Sequence, residues 1–328
     1  MTVNIACFDD LDAVAADADG ALDRAQQASL YDRLDWFRLI QTHVPPAGKL
    51  AVWRARRGGA TAWLFLAVEG NKATAYATWY SLRFNGIGQS DVKTPLAEAI
   101  RKSGIAEIEL APIEDPGPLV AVFRAAGWKV RLTEKTGNWR VVVAGEDFAT
   151  YWAKRPGQLR STARRKGQAA GLDVEIFDRF DEGAWAAYEE VYGASWKPEE
   201  GSFPFLRALA EQEGAAGTLR LGVARKDGRP LAVQLWLVEH GEATIHKLAY
   251  REDAKELSPG TILGEAMFRR AIDEDRVRII DYGTGDDAYK RDWMEERRPL
   301  WRLQTFNPGT LRGLAGTARA LAGRLRNG

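Results

Sequence analysis

The second half of the chain alternates short apolar runs with polar breaks, and the periods of those runs predict a chain of strands and helices. Residues 231–238 form a short apolar run closed by Glu239-His240-Gly241, the punctuation of a hairpin. Residues 243–250 read as the next strand, with Ile245, Lys247 and Ala249 on one face and His246, Leu248 and Tyr250 on the other. A polar loop follows, and Ser258-Pro259-Gly260-Thr261 opens a helix. Ser258 is expected as its N-cap, with Pro259 at the first helical position, where a missing N–H costs nothing. Ile262, Leu263, Ala266, Met267 and Ala271 give that helix one apolar stripe. Residues 278–283 are the next strand. Thr284-Gly285-Asp286-Asp287 breaks it before Tyr289-Lys290-Arg291-Asp292-Trp293.

The first half has its own alternation. A strongly amphipathic helix over residues 31–40 ends before Pro45-Pro46. Three strand-like runs then follow, separated by Gly58-Gly59 and Gly70-Asn71, and the second break suits a tight hairpin. Residues 90–103 read as a helix, 106–110 as a strand, 119–126 as a helix closed by Gly127, and 128–132 and 139–143 as strands. Gly145-Glu146-Asp147 interrupts the apolar run. We therefore expect two domains, residues 1–146 and 147–328, in an α/β (α+β) chain whose sheets are mixed, mainly antiparallel and flanked by helices.

Composition narrows the class. The 328 residues are 45% hydrophobic and 28% charged, which fits a globular chain with room for two domains. A net charge of +1 gives no general argument for DNA or membrane binding. The single cysteine, Cys7, excludes an intramolecular disulfide framework and a clustered metal site, so no metal is expected. The first residues lack the cationic, apolar pattern of a signal peptide, and no stretch reaches the ~20 apolar residues of a membrane span. The expected location is cytoplasmic. The twelve tryptophans suggest broad aromatic burial or a substrate groove.

Several residues carry candidate chemistry. Lys154, Arg155, Arg160, Arg164, Arg165 and Lys166 form one basic cluster, in which Arg160 and Arg164 share a helix face. It is either a solvated face or an edge that receives a phosphate or other anion. Trp196, in Ser195-Trp196-Lys197, is either a packing anchor or part of a substrate wall. Asp281 ends a central strand, as a candidate base or amine anchor or as a cap on the following turn. His246 is a candidate base or a satisfied core residue. The basic helix near the C-terminus, with Arg312, Arg319, Arg324 and Arg326, either packs on the fold or meets a membrane surface as a peripheral contact.

The order strand, loop, Ser-Pro-Gly helix, then Asp281-Tyr282-Gly283-x-Gly285 and Tyr289-Lys290, resembles the acyltransferase half of the GNAT superfamily. It is similar in particular to the CelD-like branch associated with cellulose biosynthesis, a relative of the FemAB/FemX peptidyltransferases. The resemblance covers roughly residues 151–307. The first half has a GNAT-like order of its own, which implies tandem GNAT-like domains, the first a degenerate copy without a phosphate-cradling loop.

The resemblance implies an acyl donor in a V-shaped split between residues 243–250 and 278–283. Its carbonyl would bond strand backbone around Lys247 and Ala249, and its pyrophosphate would sit at Ser258, Gly260 and Thr261, where a helix N-terminus suits an anion. The usual GNAT donor-loop signature is absent, with only Gly260 and Gly264 left of it. The resemblance assigns Lys290 an active-site contact to an anion or carbonyl, and Tyr289 the role of general acid towards the leaving group. Arg160, Arg164, Trp196 and Tyr250 are the expected substrate contacts. The expectation is an N-acyltransferase that moves an acetyl or acyl group from acyl-CoA to a small-molecule, saccharide or peptide amine by direct attack. The alternatives are a FemAB-like transferase using aminoacyl-tRNA, and a GNAT-shaped protein of exopolysaccharide or cell-envelope assembly without catalysis.

Overall fold

The computed structural model describes residues 2–326. The chain folds as two compact units, Met1–Thr136 with Pro299–Gly328, and Gly137–Arg298. The sequence places the division ten residues later and gives the C-terminal strand and helix to the second domain. In the structure, Arg140 to Val142 have their ladder partners in the second unit, and Trp301 and Leu303 to Phe306 have theirs in the first. Those pairings join residues far apart in sequence, and no local pattern announces them.

In the first unit, strands Asn4–Phe8, Lys49–Arg57, Ala60–Glu69 and Lys72–Ala75 are successive antiparallel neighbours. Gly58-Gly59 and Gly70-Asn71 are the two-residue turns between them, with Gly58 and Gly70 both at φ 59°. Lys72–Ala75 then pairs in parallel with Glu107–Ile113, a crossover that requires an intervening helix, here Lys93–Lys102. The last strand, Glu296–Phe306, supplies an antiparallel neighbour, with Phe306 opposite Glu107. Leu64, Leu66, Leu96, Ile100, Ile108 and Phe123 are among the residues of its closed core.

The second unit repeats that order. Asp173–Phe177, Leu219–Lys226, Arg229–Glu239 and Glu242–Tyr250 are antiparallel neighbours. The last of them pairs in parallel with Ile279–Thr284, which pairs antiparallel with the end of Lys129–Val142. Asp227-Gly228 and His240-Gly241 make the hairpin turns, with positive φ at all four positions. Helix Pro259–Arg269 crosses between the parallel strands. It lies close on the sheet because Gly222 has no side chain: a Cβ there would meet the Met267 sulfur at 2.6 Å. Trp236, Leu263, Met267 and Phe268 fill the core beneath it, each such burial contributing about 1.5–3 kcal/mol. The tandem duplication of a mixed, mainly antiparallel sheet flanked by helices is thus present in both units.

A split between parallel strands as the candidate active site

The parallel ladder of the second unit is short. It runs from Glu242 opposite Ile279 to Thr244 opposite Asp281 and then stops. On its other side Glu242–Tyr250 carries a bulge: Leu235 faces Lys247 while Trp236 faces Ile245, which leaves His246 as the extra residue. A bulge bends its strand and increases the twist. Here it coincides with the point where the two parallel strands part, and the split between them opens into a cavity of about 360 Å³.

Two glycines give this cavity its room. A Cβ at Gly260 would meet the Tyr250 ring at 3.1 Å, and one at Gly264 would meet the Trp293 indole at 3.0 Å. Leu248 and Tyr250 come to the wall from one strand and Tyr282 from the other, and Gln234 and Leu159 complete it. Trp196 closes over Tyr250 at 4.2 Å between ring centroids and is 46% exposed.

The helix start facing the cavity differs from the expected cap. Ser258 adopts a left-handed conformation, φ 53° and ψ 44°, and its side chain makes no capping bond. The following proline disfavours the right-handed helical region for Ser258. The left-handed alternative, at a cost of about 1–2 kcal/mol for a residue with a Cβ, leaves the side chain away from the N–H groups it would cap. The carbonyl of Ser258 instead accepts from Thr261 N–H at 3.1 Å and Ile262 N–H at 3.2 Å. Pro259 has no N–H, so the helix start offers an anion mainly the Gly260 N–H and its dipole.

Helical spacing sorts the motif that follows the second strand. Tyr289, Asp292 and Trp293 stand three and four residues apart and share the face that lines the cavity. Lys290 points the other way and is buried. Its ammonium donates to the carbonyls of Tyr282 at 3.2 Å, Thr284 at 2.9 Å and Gly285 at 3.2 Å, tying down the loop after the strand. Burial holds the Lys290 pKa below its ordinary value against the upward pull of Asp287, Asp281 and Asp286. Tyr289 stacks edge-on to Tyr282 at 5.7 Å, and burial, then Asp287, raises its phenol so that it stays protonated at neutral pH.

The cavity therefore brings together Ser258, Gly260, Thr261, Trp196, Tyr250 and Tyr289 of the residues singled out from the sequence. It leaves the others outside its wall. Asp281 is buried; its carboxylate accepts from Asn138 Nδ2 at 2.9 Å and from the Gly283 N–H at 2.7 Å, the turn-capping arrangement. His246 is buried with neither ring nitrogen hydrogen-bonded, and burial followed by the nearby Lys247 charge lowers its pKa to about 3. Lys247 donates to Glu200 at 2.7 Å, and Ala249 sits in the ladder opposite Val233. Arg160 and Arg164 line a separate, shallower hollow of about 630 Å³ with Trp152, Gln168 and Glu265. Among the residues of the site that went unassigned in the sequence are Gln234, Lys255, Asp292 and Trp293 in the wall, and Lys197, next to the wall residue Trp196. For Asp292 the signal was present, three residues after Tyr289 on a helix. For Gln234 it was a single polar residue inside an apolar strand.

Among the described residues no cluster of three or more His, Cys, Asp or Glu side chains could hold a metal ion. No described helix is long and apolar enough to cross a membrane. In the C-terminal helix Leu311–Arg326, Leu311 and Leu314 are exposed and Arg312 bonds the Asn71 side chain at 2.8 Å. The side chains of Arg324 and Arg326 lie outside the described residues.

Residues 153–291 match the model of the acetyltransferase (GNAT) domain family. No curated protein matches the chain in sequence. Among solved structures it is similar to a C-terminal domain assigned to a lysylphosphatidylglycerol synthetase from Agrobacterium fabrum, at 17% identity over 93% of this chain and 95% of that one, with a TM-score of 0.57. It is similar to FemX at 11% identity over 86% and 93% of the two chains, with a TM-score of 0.61. A tandem GNAT protein from the clavulanic acid biosynthesis pathway superposes at 15% identity over 92% and 98%, with a TM-score of 0.50. At these identities the likeness is one of fold.

Proposed function

From a chain whose second unit carries a GNAT-type acetyltransferase domain over residues 153–291, we propose an N-acyltransferase in which the split of that unit holds the acyl donor and an amine attacks its carbonyl directly. The observation that supports this most is the cavity itself, opened where the parallel ladder ends and floored by Gly260 and Gly264. An apolar slot of this size suits the thin arm of an acyl thioester better than a bulky ligand. Leu248, Tyr250 and Trp293 would wall the arm, and the Gly260 N–H with Lys255 would meet its phosphates. Tyr289, held protonated in the wall, is placed to give a proton to the departing sulfur.

One observation favours a second donor. With Pro259 lacking an N–H and two others turned onto Ser258, the helix start is a sparse pyrophosphate cradle. Arg160, Arg164 and Arg165 are exposed on helix Gly157–Ala170, which suits a polyanionic carrier such as aminoacyl-tRNA. Membership of the CelD-like branch, with a saccharide amine as acceptor, rests on the sequence motifs. Peripheral membrane contact rests on the exposed Leu311 and Leu314.

Calorimetric titration with acetyl-CoA is the test. Micromolar binding is expected. Failure to bind acetyl-CoA and longer acyl-CoAs, together with binding of aminoacyl-tRNA, would move the donor to the second reading. Binding of neither would leave a GNAT-shaped protein without catalysis.

A further inference from the structure

We propose that Lys197 takes the proton that an acceptor ammonium gives up so that its nitrogen can attack the donor's carbonyl carbon, a role that rests on the acyl-transfer function above. Lys197 lies on the strap between helices Glu182–Gly193 and Phe203–Ala215. Its neighbour Trp196 lines the cavity, and the Lys197 ammonium stands 5.8 Å from the centroid of that indole.

The strap is fastened at both ends. The Ala194 carbonyl accepts from the Glu252 N–H at 3.2 Å. Glu200, whose side chain is fully buried, accepts from Lys247 at 2.7 Å and faces the Tyr192 hydroxyl. The strap thereby sets Trp196 in the cavity wall with Lys197 next to it, where Lys247, Lys290, Glu200 and Asp287 all act on the Lys197 charge.

The charges around it are unequally answered. Lys247 has Glu200, and Lys290 has three carbonyls with Asp287 at 3.8 Å. Among the described residues no carboxylate stands at ion-pair distance from Lys197. Burial, then Lys247 and Lys290, lower its pKa to about 8, with Glu200 and Asp287 pulling the other way. The amine is therefore half neutral by about pH 8, far below an ordinary lysine, whereas Asp281 and His246 are sealed in the fold.

The step balances without a further reagent. An acceptor ammonium passes one proton to the neutral Lys197 amine, and the freed amine forms the C–N bond. When the tetrahedral adduct collapses, the C–S bond breaks, Tyr289 gives its proton to the departing sulfur, and the second nitrogen proton restores the Tyr289 hydroxyl. Lys197 then returns its proton to water.

Two readouts test this. Trace acetylation of the folded chain by acetic anhydride between about pH 6 and 10, mapped by mass spectrometry, is expected to find Lys197 reactive well before ordinary lysines. A Lys197 that reacts no sooner than the exposed Lys102 and Lys129 overturns the proposal. In the second readout, acetyl transfer to a panel of primary amines is followed by thiol release in the unaltered chain, Lys197→Met and Lys197→Arg.

Both variants are expected to lose about 100-fold or more in kcat/KM, together with the limb of the pH profile near 8, while acetyl-CoA affinity stays within about twofold. Arginine keeps the positive charge but cannot give up its proton. Activity retained in Lys197→Arg would therefore remove the proton-acceptor role alone. Loss of the limb in Asp292→Asn and not in Lys197→Met would transfer the role to Asp292. If the unaltered chain binds neither acetyl-CoA nor longer acyl-CoAs, the acyl-CoA reading falls and takes this role with it.

Discussion

The two units share one strand order; in the second the parallel strands part around a slot, and a comparison of the helices that cross between the parallel strands of each unit shows why. In the first unit the crossing helix runs Lys93–Lys102 and carries Pro95; one and five residues later come Leu96 and Ile100, both buried in the core. In the second it carries Pro259, and at the same offsets stand Gly260 and Gly264. The strand that leads into the first helix ends after Lys72–Ala75, while its counterpart extends through a bulge from Glu242 to Tyr250. Two branched side chains exchanged for hydrogen atoms, on a longer and bent strand, separate a filled core from a binding slot. Duplicated folds are thus specialised by volume as much as by reactive groups.

The sharpest way to erase the difference is to give the second helix the residue of the first. Gly264→Ile should push the Trp293 indole into the slot and lower acetyl-CoA affinity by about 1,000-fold or more, at a stability cost of about 1–3 kcal/mol. Calorimetry and denaturant unfolding read the two effects separately. The converse change, Ile100→Gly, should destabilise the first unit by about 2–5 kcal/mol without creating a binding site. Undiminished binding by Gly264→Ile would mean the donor lies elsewhere.

A smaller effect concerns chemistry rather than space. Tyr289→Phe keeps the ring that lines the slot and removes the proton, so kcat for amine acetylation should fall about 100-fold with KM little changed. A variant as fast as the original would return Tyr289 to a packing role.

Much of this comparison is legible in the chain, because turns and periods are local. Gly70-Asn71 and Asp227-Gly228 specify their hairpins by φ alone, and the strands between them alternate as their burial does. Tyr250, Gly260 and Tyr289 are recognisable by their places in the order of elements. What stays hidden is non-local or conformational. The sixth strand of each unit is set by long-range pairing, and the left-handed turn at Ser258 reverses the expectation of a capped helix. Tyr289-Lys290 invites reading as an adjacent pair, although a helix sends neighbours to different faces. Only spacing of three or four finds Asp292 and Trp293. Lys197 depends on what Lys247, Lys290 and Glu200 place around it, which a lone Ser-Trp-Lys does not disclose.

The units should also answer acid differently, and His246 sets the response of the second. Its folded pKa is depressed to about 3, so between that value and the ordinary 6.5 the unfolded chain binds the extra proton. The stability His246 leaves intact at neutral pH is therefore lost as pH falls through this window, by about 2 kcal/mol at pH 5. His246→Phe, similar in size and without the two unbonded nitrogens, should abolish that loss. Hydrogen exchange on peptides from the strands around it, at pH 7 and 5, would show it; unchanged acid sensitivity would assign the effect to another group.

Asp32 should act in the opposite sense in the first unit, and more weakly. Burial raises its carboxyl from 3.8 to about 6, against Arg83, Lys93 and Arg33, which lower it, and with a smaller upward push from Glu114. One of its oxygens is buried without a hydrogen bond. Here the folded state holds the proton more tightly, so the contribution is complete below about 3.8 and disappears as pH rises through about 6. Lowering the pH from 7 to 5 should strengthen the first unit by about 1 kcal/mol through this group while His246 weakens the second. Asp32→Asn, neutral at every pH, should remove the gain and leave the loss in the second unit in place. Hydrogen exchange of the first unit that slows equally on acidification with and without Asp32 would show that another group carries the proton.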